Sequence, residues 1–508
     1  GGGKDIVDRS TVPRMKPRLP SGRMAPTLLP ALMTTAVYLP NAVRRSAWSD
    51  DYPFLESGDF TKHYADGRPA LGLLYEAVFP GNIDDLAVLR VLGVIGIAAV
   101  SMLLSCLLMR WGVSPRNAVL WATSVAFLPP FHFYAGWATT FAYPWILLVA
   151  ALAGFFWIET TQSHRRTLRV AAIGGMTLAM LSYPPAAMFC WVPLGLKILV
   201  LRMRPHQALR AVLRLGCLVV GTGVASLLIA PLARNIRGIP VDSRVQIITS
   251  PQEAVEKILW FVSHPVVVAA RPFDIRSPEP LNALLTAGPV LGVTAIGLFV
   301  ALRGPALSRL GTLCALGVCC SLTMTAHLVV PDNQIEYRFM VGLTVLAWGS
   351  VCAAFHWSIQ RGARWLPSRL RNTTRLRGTP IPTACFALLL PLAAYLAVTN
   401  IRHTFIEPSV SKEDFLLDAL TTYDPSVHDR ILIIDHQEIW KSRPNLGTYS
   451  TTSDLAHGWV AEPNIRLLLR ETGRDHSLPV LKVARDDTPP EAGDYLVDLR
   501  PYALSFPG

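Results

Sequence analysis

Long apolar runs, separated by short polar and basic loops, constrain the fold of this 508-residue chain more than any other feature. A transmembrane helix needs roughly 20 apolar residues to cross the bilayer core, and eleven stretches of the sequence approach that length. Only 16% of the residues are charged, whereas soluble proteins average about 25%. The sequence therefore predicts an all-α polytopic membrane protein. The predicted spans are 25–43, 88–109, 117–134, 141–158, 168–183, 185–201, 211–232, 281–301, 309–330, 339–358 and 380–400.

Two proline pairs leave the local structure open at two of these boundaries. Pro129-Pro130 and Pro184-Pro185 could each mark a tight turn between two spans or a kink within a longer helix. Both arrangements are compatible with a membrane, because neighbouring helices can satisfy the freed backbone groups.

Basic residues predict the orientation of the spans, because cytoplasmic loops are enriched in Lys and Arg. The tail of residues 1–24, the short loops 165–169 and 202–210, and the loop 359–379 are all arginine-rich. With eleven spans these segments share one side, which we take as cytoplasmic. Residues 25–400 then form the membrane domain, and residues 401–508 lie outside. The net charge of +12 is therefore mainly a topology signal.

Two outer segments are too long to be simple turns. The segment 44–87 contains an apolar stretch at 70–79 that is too short to cross, so we predict a helix lying at the interface. The segment 233–280 is unexpectedly basic for an outer loop and has a helical pattern near 251–262. Outer positive charge needs a local reason, such as a phosphate.

The last hundred residues differ in hydropathy from the rest of the chain. Helical patterns at 411–422 and 460–473 alternate with apolar strand patterns at 430–435 and 494–499. This alternation predicts a small α/β domain outside the membrane.

The adjacent acids Asp50 and Asp51 are the leading catalytic candidates. They stand just beyond the first span, where a carboxylate can reach both water and a lipid headgroup. Sugar transfer needs a base that removes the proton of an acceptor hydroxyl. Neighbours on a helix differ by about 100° in direction, so we expect one acid to face the site, and we take Asp51 first. The alternative is a helix cap beside an ordinary interfacial acid.

A second motif, Glu336-Tyr337-Arg338, opens the tenth predicted span. A guanidinium there could bind phosphate oxygens in a bidentate manner, with Tyr337 beside it and Glu336 contacting the acceptor. Alternatively, Arg338 is an interfacial arginine that is paired with Glu336.

Further candidates lie in other predicted outer segments. Arg68, Arg271 and Arg276 could contact a phosphate or only the membrane surface. His132 and Tyr134 could stack on a sugar ring or belong to an interfacial aromatic belt.

Several other classes of function are disfavoured. No basic stretch is interleaved with exposed aromatic residues, which disfavours nucleic-acid binding. All eight cysteines fall in predicted spans, so the outer segments have no disulfide framework, and no Cys/His spacing indicates a metal. The outer loops contain no Asp-x-Asp, so we expect no cofactor, with a divalent metal as the open alternative.

The order of these motifs resembles the bacterial O-antigen glucosyltransferase (Gtr-type) family, within the GT-C superfamily of polyprenyl-phosphate-sugar-dependent membrane glycosyltransferases. The shared features are Asp-Asp-Tyr after the first span, a Gly-Arg in the same loop, Tyr-Arg at a late span and an outer C-terminal domain. By position, the resemblance implies Asp50 or Asp51 as the base and Arg68 and Arg338 as polar site residues. The segment 233–280 matches no motif of the family.

The resemblance also implies a reaction and a location. A sugar such as glucose would pass from a polyprenyl-monophosphate donor to an envelope glycan such as the lipid-linked O-antigen of lipopolysaccharide. The reaction would take place on the periplasmic face of the bacterial inner membrane, with membrane lipid as a further partner. The competing hypotheses are a lipid-linked-sugar flippase or transporter and a non-catalytic assembly protein of the envelope. A transporter would place its charges near the midplane, whereas the charges singled out here lie at the outer interface.

Overall fold

The computed structural model is mostly helical and describes residues 24–159, 165–240, 247–271, 280–302, 304–333, 335–365, 380–424, 426–428, 430–435, 458–471, 480–485 and 489–499. The helices of the membrane region are α1 Met24–Ala42, α2 Asp51–Ser57, α3 Thr61–Ala65, α4 Pro69–Val78, α5 Leu86–Arg110, α6 Pro115–Ala126, α7 Pro129–Gly136, α8 Tyr143–Glu159, α9 Arg165–Ser182, α10 Pro184–Ala187, α11 Trp191–Leu201, α12 Pro205–Ile236, α13 Pro251–Ser263, α14 Pro265–Ala269, α15 Pro280–Ala301, α16 Ala306–Leu322, α17 Thr325–Leu328, α18 Val341–Trp365 and α19 Pro380–Ile401.

Every predicted span coincides with one of these helices or with a consecutive pair. By length and composition, four helical stretches of the described residues could cross a membrane: Leu86–Arg110, Ala138–Glu159, Pro184–Leu201 and Pro205–Ile236. The structure is thus that of a multi-pass membrane protein, and the count of eleven spans stays a prediction.

Both proline pairs are breaks between helices. Each pair occupies the first turn of a new helix, α7 or α10, after the preceding helix has ended. Proline suits this position because its missing N–H would have no intrahelical partner there. Short one-turn 3₁₀ segments, Ala138–Thr140 and Met188–Cys190, complete the two connections.

The helices of the membrane region pack closely through small residues. A Cβ atom on Gly154 of α8 would lie 2.5 Å from the carbonyl oxygen of Cys190. Only glycine allows this approach, as is common where membrane helices meet.

The predicted outer domain continues directly from α19 through a π-turn at Arg402–Ile406 into α20, Glu407–Leu420. Helix α21, Gly458–Glu471, packs on a parallel sheet of β1 Arg430–Asp435, β2 Val480–Arg485 and β3 Asp494–Asp498. The strand order is β2-β1-β3, and β1 aligns Arg430 with Val480 and Asp494. The sequence predicted β1, β3 and both helices but missed β2.

This domain has its own apolar core, which is separate from that of the membrane helices. It also rests on the segment that carries the acid pair, because α21 packs against α2. The Ser409 hydroxyl bonds to both backbone groups of Ala47, at 2.6 and 3.0 Å. Arg45 pairs with Glu471 at 2.6 Å. The outer domain therefore helps to fix the position of α2.

Candidate active site

The two adjacent acids have different environments. Asp51 begins α2 and is only 1% exposed. Its Oδ2 accepts the Trp48 N–H at 2.8 Å, and its Oδ1 accepts the N–H of Thr139 at 2.8 Å and the Thr139 hydroxyl. Asp51 thus fastens the first outer segment to the 3₁₀ turn after α7, and both of its oxygens are already used.

Burial raises the pKa of the Asp51 carboxyl from 3.8 to about 6, against the lowering effects of the Thr139 and Trp48 hydrogen bonds and of Arg90. Arg90 is itself completely buried and donates to the carbonyls of Ala42, Ser46 and Arg44. This arginine holds the chain between α1 and α2. The sequence reasoning missed it, although an arginine near the end of an apolar span was a signal for it.

Asp50 faces the other way. Its side chain is 18% exposed, and one carboxylate oxygen lies 3.6 Å from the ammonium of Lys62. Asp50 acts electrostatically on Arg338, Glu336 and Tyr143. The structure therefore brings Asp50, and not Asp51, to the side where the second motif lies.

Arg338 is held on several sides. Its Nε lies 2.6 Å from a Glu336 carboxylate oxygen. The guanidinium carbon lies 4.7 to 5.7 Å from the ring centroids of Phe339, Trp137 and Phe133. Burial lowers the pKa of Arg338, but Glu336, two tyrosines and Asp50 outweigh it and raise the pKa above its ordinary value. Arg338 is thus a fixed cation.

The backbone around Arg338 differs from the predicted helix start. Tyr337–Phe339 forms a 3₁₀ turn, and α18 begins only at Val341. The Arg338 carbonyl accepts the Tyr134 hydroxyl at 2.9 Å. Because Arg338 precedes the first turn of α18, any role for it in anion binding rests on its guanidinium and not on the dipole of that helix.

Arg68 supplies a second cation. Its guanidinium lies 4.9 Å from the ring centroid of Tyr183 and 3.4 Å from Asp66. Tyr183 stacks on Tyr143, with centroids 4.0 Å apart and ring planes 12° apart. Both Arg68 and Arg338 act electrostatically on this tyrosine pair. Both arginines therefore act on one buried tyrosine pair, and Asp50 also acts electrostatically on Tyr143.

His132 and Tyr134 are fully buried. The His132 ring bonds to the Phe127 carbonyl at 2.7 Å and to Asn400 at 3.4 Å, and Tyr134 holds the Arg338 backbone. Neither ring presents a free face to a sugar in this conformation, so we give both residues packing roles. Tyr143 and Tyr183 are likewise buried, at 4% and 1% exposed, and their rings stack on each other.

The basic outer segment has local partners. Lys257 donates to the carbonyls of Pro331 and Asp332 and to the side chain of Asn333. Arg237 bonds to both carboxylate oxygens of Glu76. These contacts explain part of the charge without a ligand.

The remaining predicted phosphate contacts lie in or beyond this region. Arg271 acts electrostatically on Tyr337, which is 1% exposed. Arg276 lies outside the described residues.

His327 of α17 was not predicted. Its buried ring packs on Phe339 with centroids 4.3 Å apart, and its Nε2 has no hydrogen-bond partner among the described residues. Lys257, Arg338 and Arg68 all act on it electrostatically. A single histidine in an outer turn gives no sequence signal, because only the fold brings it beside the arginines.

Within the described residues, no group of three or more His, Cys, Asp or Glu side chains could hold a metal ion. A small pocket, lined in part by Arg202, Leu302 and Trp357, lies at the opposite helix ends. That pocket is separate from the acid pair and both arginines.

No family model and no curated protein matches the chain. Among solved structures, the chain is similar to the archaeal oligosaccharyltransferase AglB from Archaeoglobus fulgidus, solved in complex with an inhibitory peptide and a dolichol-phosphate. The TM-score is 0.40 and the identity 14%, and the match covers 90% of this chain and 64% of AglB. The chain therefore spans less than two thirds of AglB. This likeness gives no residue correspondence, so function has to be argued from the site itself.

Proposed function

We propose that this protein is an integral-membrane glycosyltransferase that uses a polyprenyl-monophosphate sugar as donor and an envelope glycan as acceptor. The observation that carries the proposal is the arrangement of Asp50, Arg68 and Arg338 around the Tyr143–Tyr183 pair. A partly exposed carboxylate and two fixed guanidinium groups match the needs of sugar transfer from a phosphate.

Asp50 is the base in this proposal. Its carboxylate takes the proton of the acceptor hydroxyl as that oxygen bonds to the anomeric carbon. The bond between the anomeric carbon and the phosphate oxygen breaks, and the polyprenyl phosphate leaves with the electron pair. The Lys62 ammonium lies 3.6 Å from the Asp50 carboxylate and holds it in place.

Arg338 and Arg68 stabilise the leaving phosphate. Its charge grows as the glycosidic bond breaks, so cations already fixed in place act most strongly in the transition state. Glu336 and the rings around Arg338 hold its guanidinium in position. The buried Tyr143–Tyr183 stack holds the Arg68 guanidinium against the Tyr183 ring.

Asp51 has a positioning role. Its oxygens are occupied by Trp48 and Thr139, so it orients α2 and with it Asp50. The base is thereby reassigned from Asp51, the first choice on sequence alone, to its neighbour.

The test is transfer from a synthetic polyprenyl-phosphate sugar by purified protein. Asp50→Asn is expected to lose about a hundredfold or more in turnover, the usual scale for a general base, and to retain donor binding. Full activity of Asp50→Asn would contradict the mechanism.

A lipid-linked-sugar flippase is the alternative. It would move a labelled donor across a proteoliposome membrane without forming a glycosidic bond. Translocation that persists in the absence of any acceptor, with no transfer product, would favour it.

The proposed orientation places the site and residues 401–508 on the periplasmic side of the inner membrane.

A further inference from the structure

Helix α13, Pro251–Ser263, presents three distinct faces. The Ser250 side chain caps it by accepting the Glu253 N–H at 3.1 Å. One face carries Lys257, Trp260 and Phe261, which are buried. This face lies against α17 and the loop 331–333.

The opposite face is apolar and, within the part of the chain that the structure describes, exposed. Val255, Ile258, Leu259 and Val262 recur at the i, i+3, i+4, i+7 spacing of one helix face. Each is between 57% and 64% exposed. Four large aliphatic side chains in a row would be costly to leave in water.

A polar strip lies at about a right angle to this apolar row, given about 100° per residue. It consists of Gln252, Glu256 and Ser263, all exposed, with Gln252 donating to Glu256 at 3.1 Å. A helix with one face on protein, one apolar face and a polar flank is suited to lie in the plane of a membrane surface.

The neighbouring part of the chain indicates lipid as the occupant. Helix α12 is a candidate span with only 28% of its apolar window buried. Its last turns expose Leu228, Leu232 and Ile236 by 60% or more, and α13 follows in the chain. A second copy of the chain is less suitable as the occupant, because a single row of four side chains offers less area than the ~800 Å² per partner that a stable interface buries.

We propose that α13 lies in the outer membrane–water interface, with Val255, Ile258, Leu259 and Val262 in lipid. On its protein side, Lys257 holds the loop 331–333, which leads to Glu336 and Arg338. Through this loop, the depth of α13 helps to set the depth of Arg338. This consequence rests on the proposed function, since it places the phosphate-binding group at the headgroup level where a lipid-linked donor presents its phosphate.

The experiment measures the depth of α13 in phosphatidylglycerol–phosphatidylethanolamine proteoliposomes, using a nitroxide on a genetically encoded residue at Ile258. The matched control carries the label at Glu256, on the polar strip of the same helix. The collision rates with oxygen and with a water-soluble nickel chelate are compared. We expect oxygen to dominate at 258 and the chelate at 256, with a severalfold difference in the ratio.

Two results would overturn the proposal. Equal access of the chelate to 258 and 256 would place the apolar row in water. Dipolar broadening between labels at 258, removed by dilution with unlabelled protein, would identify a second copy as the occupant. Neither measurement depends on catalysis, so failure here is distinct from failure of the proposed glycosyltransferase activity.

Discussion

Replacing Asp51 by Asn separates the positioning role from catalysis. The carboxylate accepts three hydrogen bonds, two on Oδ1 and one on Oδ2. An amide can keep its oxygen toward Thr139 but then points its NH₂ at the Trp48 N–H. A buried donor left without a partner costs about 1–3 kcal/mol.

The loss of the buried negative charge, in contrast, stabilises Asp51→Asn relative to the ionised wild type. The folded-state pKa of Asp51 is raised from 3.8 to about 6, which corresponds to about 3 kcal/mol of differential interaction. A raised carboxyl pKa means that the folded state holds the proton more tightly. The stabilisation of the folded wild type by protonated Asp51 is therefore complete below about pH 4, and it is lost as pH rises through about 6. At neutral pH the two effects offset each other. The free energy of unfolding of Asp51→Asn should therefore lie within about 2 kcal/mol of the wild-type value.

The assay combines thermal unfolding in detergent between pH 4 and 7 with transfer kinetics at pH 7. We expect the wild type to lose stability relative to Asp51→Asn as pH rises over that range. Asp51→Asn should keep transfer within about tenfold of the wild type, while Asp50→Asn loses about a hundredfold or more. The reasoning is refuted if Asp51→Asn is inactive but normally stable and donor-binding, and Asp50→Asn is active.

Three further changes test other parts of the structure. Arg338→Lys keeps the charge but loses the planar fork, so transfer should fall strongly, and Arg338→Ala should be nearly inactive; normal transfer by the folded alanine variant would limit this arginine to packing. Lys257→Met removes the charge-assisted hydrogen bonds to the loop 331–333, which are worth about 1.5–3 kcal/mol. The KM for the donor should therefore rise about tenfold, while the depth of the nitroxide at 258 stays unchanged. An unchanged KM would show that the loop does not affect donor binding. Finally, a cysteine at position 440 should react with a membrane-impermeant reagent in spheroplasts, and protection there would reverse the predicted topology.

The sequence alone predicted the long apolar helices and most of the elements within residues 401–508. The lengths of the apolar runs are set by bilayer thickness, and the proline pairs mark helix starts because proline lacks an N–H. Helix α13 and the strand β1 were predicted for equally local reasons, namely a polar–apolar period and a short apolar run between polar residues. Strand β2 was missed because its pattern is weaker than that of β1, with which it pairs across nearly fifty residues of chain.

The different environments of the two adjacent acids were decided only by tertiary structure. Asp50 and Asp51 are adjacent, so no local pattern distinguishes them. The difference arises because Thr139, 88 residues further along the chain, supplies two of the three donors to Asp51. Asp50 instead lies near Lys62 and acts electrostatically on Arg338. His327 and the Tyr143–Tyr183 pair likewise join the site only through helix packing. Local sequence determines where a helix starts and which side is apolar, whereas the partners of a side chain depend on the packing of distant segments.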